Sequence, residues 1–127
     1  MIYTIKTLSS LASIVEEMGN HAKSQGLDLL NHYQLKEILQ NKGYPIEKEI
    51  HVFELCDPHT AQQVLSQVDA VSVYLPCRIS AYEEKGFTRL STPKIDTILN
   101  TSDVDEELKA FMSILFYNIK SLMHSWI

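Results

Sequence analysis

The stretch from Phe53 to Tyr82 constrains this chain more than any other. Two short motifs, Leu55-Cys56-Asp57-Pro58 and Leu75-Pro76-Cys77-Arg78, bracket a segment one helix long. Before the first motif, Glu49-Ile50-His51-Val52-Phe53-Glu54-Leu55 is rich in the β-branched and aromatic residues that suit a pleated surface. Asp57 then offers a helix N-cap, and Pro58 takes the first helical position, where a missing N–H costs nothing. Ala61, Val64, Leu65 and Val68 supply the apolar stripe of that helix. Ala70 to Leu75 and Cys77 to Glu83 read as strands, with Pro76 as a bulge, kink or edge between them. Strand, helix, strand predicts a parallel pair, Ile50–Leu55 beside Ala70–Leu75, joined by a right-handed crossover. Each strand would then deliver one of the chain's two cysteines to the same edge of a sheet, where open sheets bind ligands.

The rest of the chain predicts a frame for this unit. Ile2 to Thr7 alternates like a strand rather than a cleavable signal. Ser9 or Ser10 can cap a helix carrying Leu11, Ile14, Val15, Met18 and Ala22, which Gly26 ends in a left-handed conformation. Leu27 to Tyr33 is a weaker strand, interrupted by Asp28 and Asn31. Leu35, Ile38 and Leu39 mark a short helix that stops at Gly43. Glu84-Lys85-Gly86 turns the chain into a strand over Phe87 to Ser91, and Pro93 to Leu99 can hold a helical turn or two. Ser102-Asp103-Val104-Asp105 caps a long helix with Leu108, Phe111, Met112, Leu115, Ile119, Leu122, Met123 and Trp126 on its apolar side. The predicted architecture is an α+β two-layer sandwich. One mixed sheet of about six strands carries helices on one face, and a long C-terminal helix closes the chain. Residues 1–127 form one domain, with no repeat or linker.

Composition narrows the function classes. A formal charge of −5, with the Lys and Arg residues scattered, argues against nucleic acid, whose phosphates need a basic surface. No apolar run is long enough to cross a membrane, and the last helix lacks the cationic face of an interfacial one. Two cysteines make no disulfide framework, so a reduced, cytoplasmic setting is expected. None of the five histidines stands in a metal-binding or nucleophile-elbow spacing, and four glycines form no phosphate cradle. Catalysis is not indicated, no catalytic residue is assigned, and no cofactor is expected.

Glu54-Leu55-Cys56-Asp57-Pro58, followed by Leu75-Pro76-Cys77-Arg78-Ile79 and Tyr82-Glu83, resembles the domain-of-unknown-function family 302. That family carries a Cys-Asn/Asp-Pro strand end, a helix and then a Leu-Pro-Cys strand. The resemblance covers residues 1–100 and leaves 101–127 as a C-terminal helical extension. It implies a small two-layer α+β fold, often dimeric, with no established activity. His59 departs from the pattern, which usually has another residue after the proline.

The cysteines admit three readings. Packed in the core, Cys77 shares strand parity with Val71, Val73, Leu75, Ile79 and Ala81 and acts as a small hydrophobe. Alternatively, the helix start lowers the Cys56 pKa and Arg78 sits beside Cys77, giving a thiol pair for redox exchange or sulfur transfer. A zinc site of Cys56, His59 and Cys77 would be open at its fourth position, but the family pattern speaks against it and no metal is assigned. The preferred function is a non-enzymatic homodimer that binds a small molecule or protein partner, its site lined by Cys56, Asp57, Pro58, His59, Pro76, Cys77 and Arg78. The alternatives are the thiol-dependent protein and a purely structural interaction module. Ile114, Phe116 and Tyr117 widen the last helix beyond one sheet face and point to a subunit contact.

Overall fold

The computed structural model describes residues 1–95 and 105–127. Among the described residues, five strands and four helices follow in the order β1 (Ile2–Thr7), α1 (Leu11–Ser24), β2 (Asp28–Gln34), α2 (Leu35–Asn41), β3 (Ile50–Cys56), α3 (Pro58–Gln67), β4 (Cys77–Glu84), β5 (Phe87–Pro93) and α4 (Glu106–His124). A 3-10 helix, Asp69–Tyr74, lies between α3 and β4. The helical turns predicted over Pro93–Leu99 and the cap residues Ser102, Asp103 and Val104 fall wholly or partly outside the described residues.

The sheet runs β1-β5-β4-β3-β2, and every neighbouring pair is antiparallel. Two expectations are corrected here. The sheet has five strands, not six, and it is antiparallel rather than mixed. The cause is Ala70–Leu75, which forms the 3-10 helix instead of a strand beside β3. Both edges of β3 are already occupied: β2 pairs along one side and β4 along the other, with Leu55 opposite Cys77. A sixth strand has no ladder to join there. Of that segment only Val71 is buried, and Val73 and Tyr74 remain exposed.

Local chemistry explains the other boundaries. Ser10 caps α1 by accepting from Ser13 N, and Gly26, at φ +73°, closes it with Leu27 N donating to Ala22 O. Lys85 and Gly86 both take positive φ in the two-residue turn joining β4 to β5, the handedness that matches strand twist. Asp105 begins α4 by accepting from Leu108 N at 2.8 Å.

Because α1 connects β1 to β2, the two edge strands, it must cross the sheet. Leu11, Ile14, Met18 and Ala22 bury themselves on the way. With Leu108, Met112, Leu115, Phe116, Ile119, Leu122 and Met123 of α4 they cover Phe53, Leu55, Cys77, Ile79, Ala81 and Leu90 of the sheet. The apolar stripe predicted for the last helix is the buried one. Phe116 is also core, so of the residues read as a wider surface only Ile114 and Tyr117 are exposed. Among the described residues, α1, α3 and α4 contribute to this core and so lie on this face. By strand alternation the other face presents Ile2, Thr4, Ile50, Val52, Glu54, Arg78, Ser80, Tyr82 and Ser91.

Candidate functional site

Antiparallel pairing changes how the two cysteines meet. Leu55 stands opposite Cys77 and Leu29, so these three share the helix-covered face. Cys56 stands opposite Asp28 and falls on the uncovered face with Glu54. Both cysteines therefore sit at one end of the sheet, as expected, but in opposite layers, and no disulfide joins them. Cys77 is 3% exposed and Cys56 half-buried. Burial pushes the Cys77 thiol up to about 12, with Cys56 and Asp57 adding to it. Cys56 is raised as well, by burial first and then by the charges of Asp57 and Asp28. The expected lowering of the Cys56 pKa at the start of α3 is overruled by these groups.

The motif residues have separate employments. Asp57 accepts from Thr60 N through Oδ1 at 3.2 Å and from Thr60 Oγ1 through Oδ2 at 2.8 Å, which caps α3. Pro58 occupies the first turn of that helix. His59 is exposed and stands edge-on to Phe111 of α4, with ring centroids 6.5 Å apart. Among the described residues no three His, Cys, Asp or Glu side chains lie where they would hold a metal ion, so Cys56, His59 and Cys77 form no zinc geometry.

Three predicted site residues do converge. Pro76, Cys77 and Arg78 line a cleft of about 120 Å³ with Val73, Tyr74, Pro93 and Ile95. Its walls are mostly apolar, and among the described residues that line it Arg78 is the only charged one. A second cleft of about 210 Å³ lies on the uncovered sheet face between Ile2, Val52, Ser80 and Ser91, and it shares Arg78 and Pro93 with the first. Arg78 thus borders both spaces.

Arg78 Nη2 is 3.0 Å from Glu54 Oε2, across the β3–β4 ladder where the two residues are register partners. Glu54 is 6% exposed although its strand position puts it on the face opposite α1, α3 and α4. Its other oxygen, Oε1, accepts from Tyr33 Oη at 2.8 Å and from Asn31 Nδ2 at 3.2 Å. The Tyr33 hydrogen bond chiefly holds the Glu54 carboxyl below its ordinary range; Arg78 and Asn31 lower it further, against desolvation. The same contact raises the Tyr33 phenol.

Sequence reasoning did not select Glu54, Tyr33 or Asn31. The signal was present: Glu54 interrupts an apolar strand, and only an antiparallel β3–β4 pair sets it opposite Arg78. A second polar chain was also missed. His32 Nε2 lies 2.6 Å from His51 Nδ1, and His51 Nε2 lies 2.7 Å from Glu49 Oε1. His51 is buried, and His32 stacks on Phe53. The His32 pKa is lowered, by burial first and by His51 second.

Comparison with known proteins agrees with this architecture. The family model described as "Domain of unknown function DUF302" matches residues 3–123. No curated protein matches. The crystal structure of an uncharacterized conserved DUF302 protein from Bacillus stearothermophilus superposes with a TM-score of 0.89 over 99% of this chain and 98% of that one, at 24% identity. At that identity the likeness shows the fold alone. No described helix is long and apolar enough to cross a membrane.

Proposed function

The chain belongs to the DUF302 family, a domain of unknown function, and on that premise we propose that it is a non-enzymatic, homodimeric binding domain whose ligand sits in the cleft at the start of β4. The observation that carries this reading is the convergence of Pro76, Cys77 and Arg78 on an otherwise apolar cleft. Small-molecule sites combine apolar walls with a few placed polar groups, and here the guanidinium is that group. The Arg78 side chain is 58% exposed and gives one nitrogen to Glu54, which holds it in place while its remaining N–H donors face outward. The ligand class that fits is a small apolar molecule bearing a carboxylate or carbonyl, or a partner side chain of that kind. Cys77 contributes shape at the floor, not a thiolate.

The thiol-dependent alternative has less behind it, because both thiols are shifted away from ionisation and their strand positions put them in opposite layers. The subunit contact is assigned to the uncovered sheet face, which displays Ile2, Ile50 and Val52 around the Glu54–Arg78 pair and is matched in area by the same face of a second copy.

Titration of isotope-labelled protein with short-chain fatty acids tests the ligand assignment. Amide shifts should concentrate at Val73–Arg78 and Ile95, and Arg78→Ala should weaken binding by roughly tenfold or more, as loss of a charge-assisted contact does. Shifts confined to other elements would remove the reading.

A further inference from the structure

The last three turns of α4 hold a group of side chains for which the cleft at β4 has no use. Tyr117, Lys120, Ser121 and His124 recur at helical spacing and so share one face. Edge strand β1 brings Tyr3 against them, and together the five line a cleft of about 260 Å³. Tyr3 Oη lies 2.6 Å from His124 Nε2. Lys120 Nζ stands 4.6 Å from the Phe116 ring centroid and 5.9 Å from that of Tyr3, so aromatic faces hold the ammonium at the cleft wall.

Charge makes this place unusual. The chain carries a net charge of −5, yet none of the five lining residues has a carboxylate. No ion pair engages Lys120 among the described residues. An anion entering the cleft would meet one permanent cation, the Ser121 hydroxyl, and the Tyr3–His124 pair. When the Tyr3 hydroxyl donates to His124 Nε2, Nδ1 carries a hydrogen free to donate. Size and lining add a second requirement. A cavity of roughly 150 Å³ holds a benzene ring, and this cleft is larger and bordered by the phenol rings of Tyr3 and Tyr117. An aromatic ring with an anionic substituent satisfies both the rings and the cation.

We propose that the Tyr3–Lys120–His124 cleft is a binding site for a small aromatic molecule carrying one phosphate or carboxylate group. Calorimetric titration at low salt with phenyl phosphate, benzoate, phenol and inorganic phosphate tests it. Phenyl phosphate or benzoate should bind, and the tighter of the two identifies the anion. Phenol and inorganic phosphate should each be weaker by about tenfold or more, since each lacks one half of the recognition. Lys120→Ala should weaken the aromatic anions by a similar factor and Lys120→Arg should restore most of it. Tyr117→Ala, at a position 67% exposed and safe for folding, should weaken phenyl phosphate and leave inorganic phosphate unchanged. Amide shifts of isotope-labelled protein during the phenyl phosphate titration should concentrate at Tyr3 and residues 117–124 rather than at Val73–Arg78, which separates this site from the cleft at β4. The proposal is overturned if neither aromatic anion binds at about 10 mM, if Lys120→Ala binds phenyl phosphate as wild type does, or if the phenyl phosphate shifts fall on Val73–Arg78 and spare Tyr3 and residues 117–124.

Discussion

At the scale of single residues, Glu54 is the group whose state matters most to the uncovered face. Its carboxyl is held below 4.5 in the folded protein, chiefly by Tyr33. Between the folded and unfolded values the unfolded chain binds more protons, so stability is present above 4.5 and is lost as pH falls through the folded value. Melting temperatures of wild type and Glu54→Gln, followed from about pH 7 down to about pH 3, should show the variant less stable at neutral pH and the gap closing in acid. Two parallel curves would mean that the Glu54 network contributes nothing. The cysteines give a second residue-scale expectation. Cys77, its thiol pushed up to about 12 by burial and only 3% exposed, should resist iodoacetamide at neutral pH until the protein unfolds. Cys56 should react, and more slowly than in denatured protein, because its pKa is raised too. Faster alkylation of either thiol in the native state would revive the thiol-dependent alternative.

At the scale of elements, the start of α3 turns a motif into structure. Asp57 uses both carboxylate oxygens on Thr60, whose side chain is 4% exposed. Asp57→Ala leaves the Thr60 N–H and hydroxyl without partners and should cost about 0.5–2 kcal/mol, read as a shift in urea midpoint with the slope unchanged. Asp57→Asn should recover most of that loss, because an amide oxygen still caps. A ligand-contacting role alone would leave the midpoint of Asp57→Ala where it is. The same element shows why the segment after it was misread. Val71, Val73 and Leu75 alternate as a strand should, but alternation measures only the fitness of side chains for two faces. Whether a strand forms also depends on a free neighbour to pair with, and β3 has none.

At the scale of the molecule, α1, α3 and α4 pack against one face of the five-stranded sheet and leave the opposite face clear of their side chains. Antiparallel sheets tolerate this when the outer face is polar, and this one is mixed, with Ile2, Ile50 and Val52 beside Thr4, Ser80 and Glu54. If a second copy covers it, Val52→Glu should turn a dimer into a monomer in sedimentation velocity without lowering the content of folded protein. Wild-type monomer at high micromolar concentration would end the dimer assignment.

Much of this architecture was legible along the chain. The caps at Ser10 and Asp57, the glycines at 26 and 86 and the stripe of α4 are local, and the physics of a turn or a helical period acts within a few residues. The same holds for the family motif, whose Cys-Asp-Pro and Leu-Pro-Cys-Arg runs each read as a structural end or beginning. The pairing of β3 with β4 is a different matter, because every pair in it links residues more than twenty apart. Antiparallel β3 and β4 put Arg78 on Glu54, sent the two sulfurs to opposite layers and drew Pro76, Cys77 and Arg78 into one cleft. Those outcomes follow from which edges of β3 were already filled, and that depends on every strand in the sheet at once.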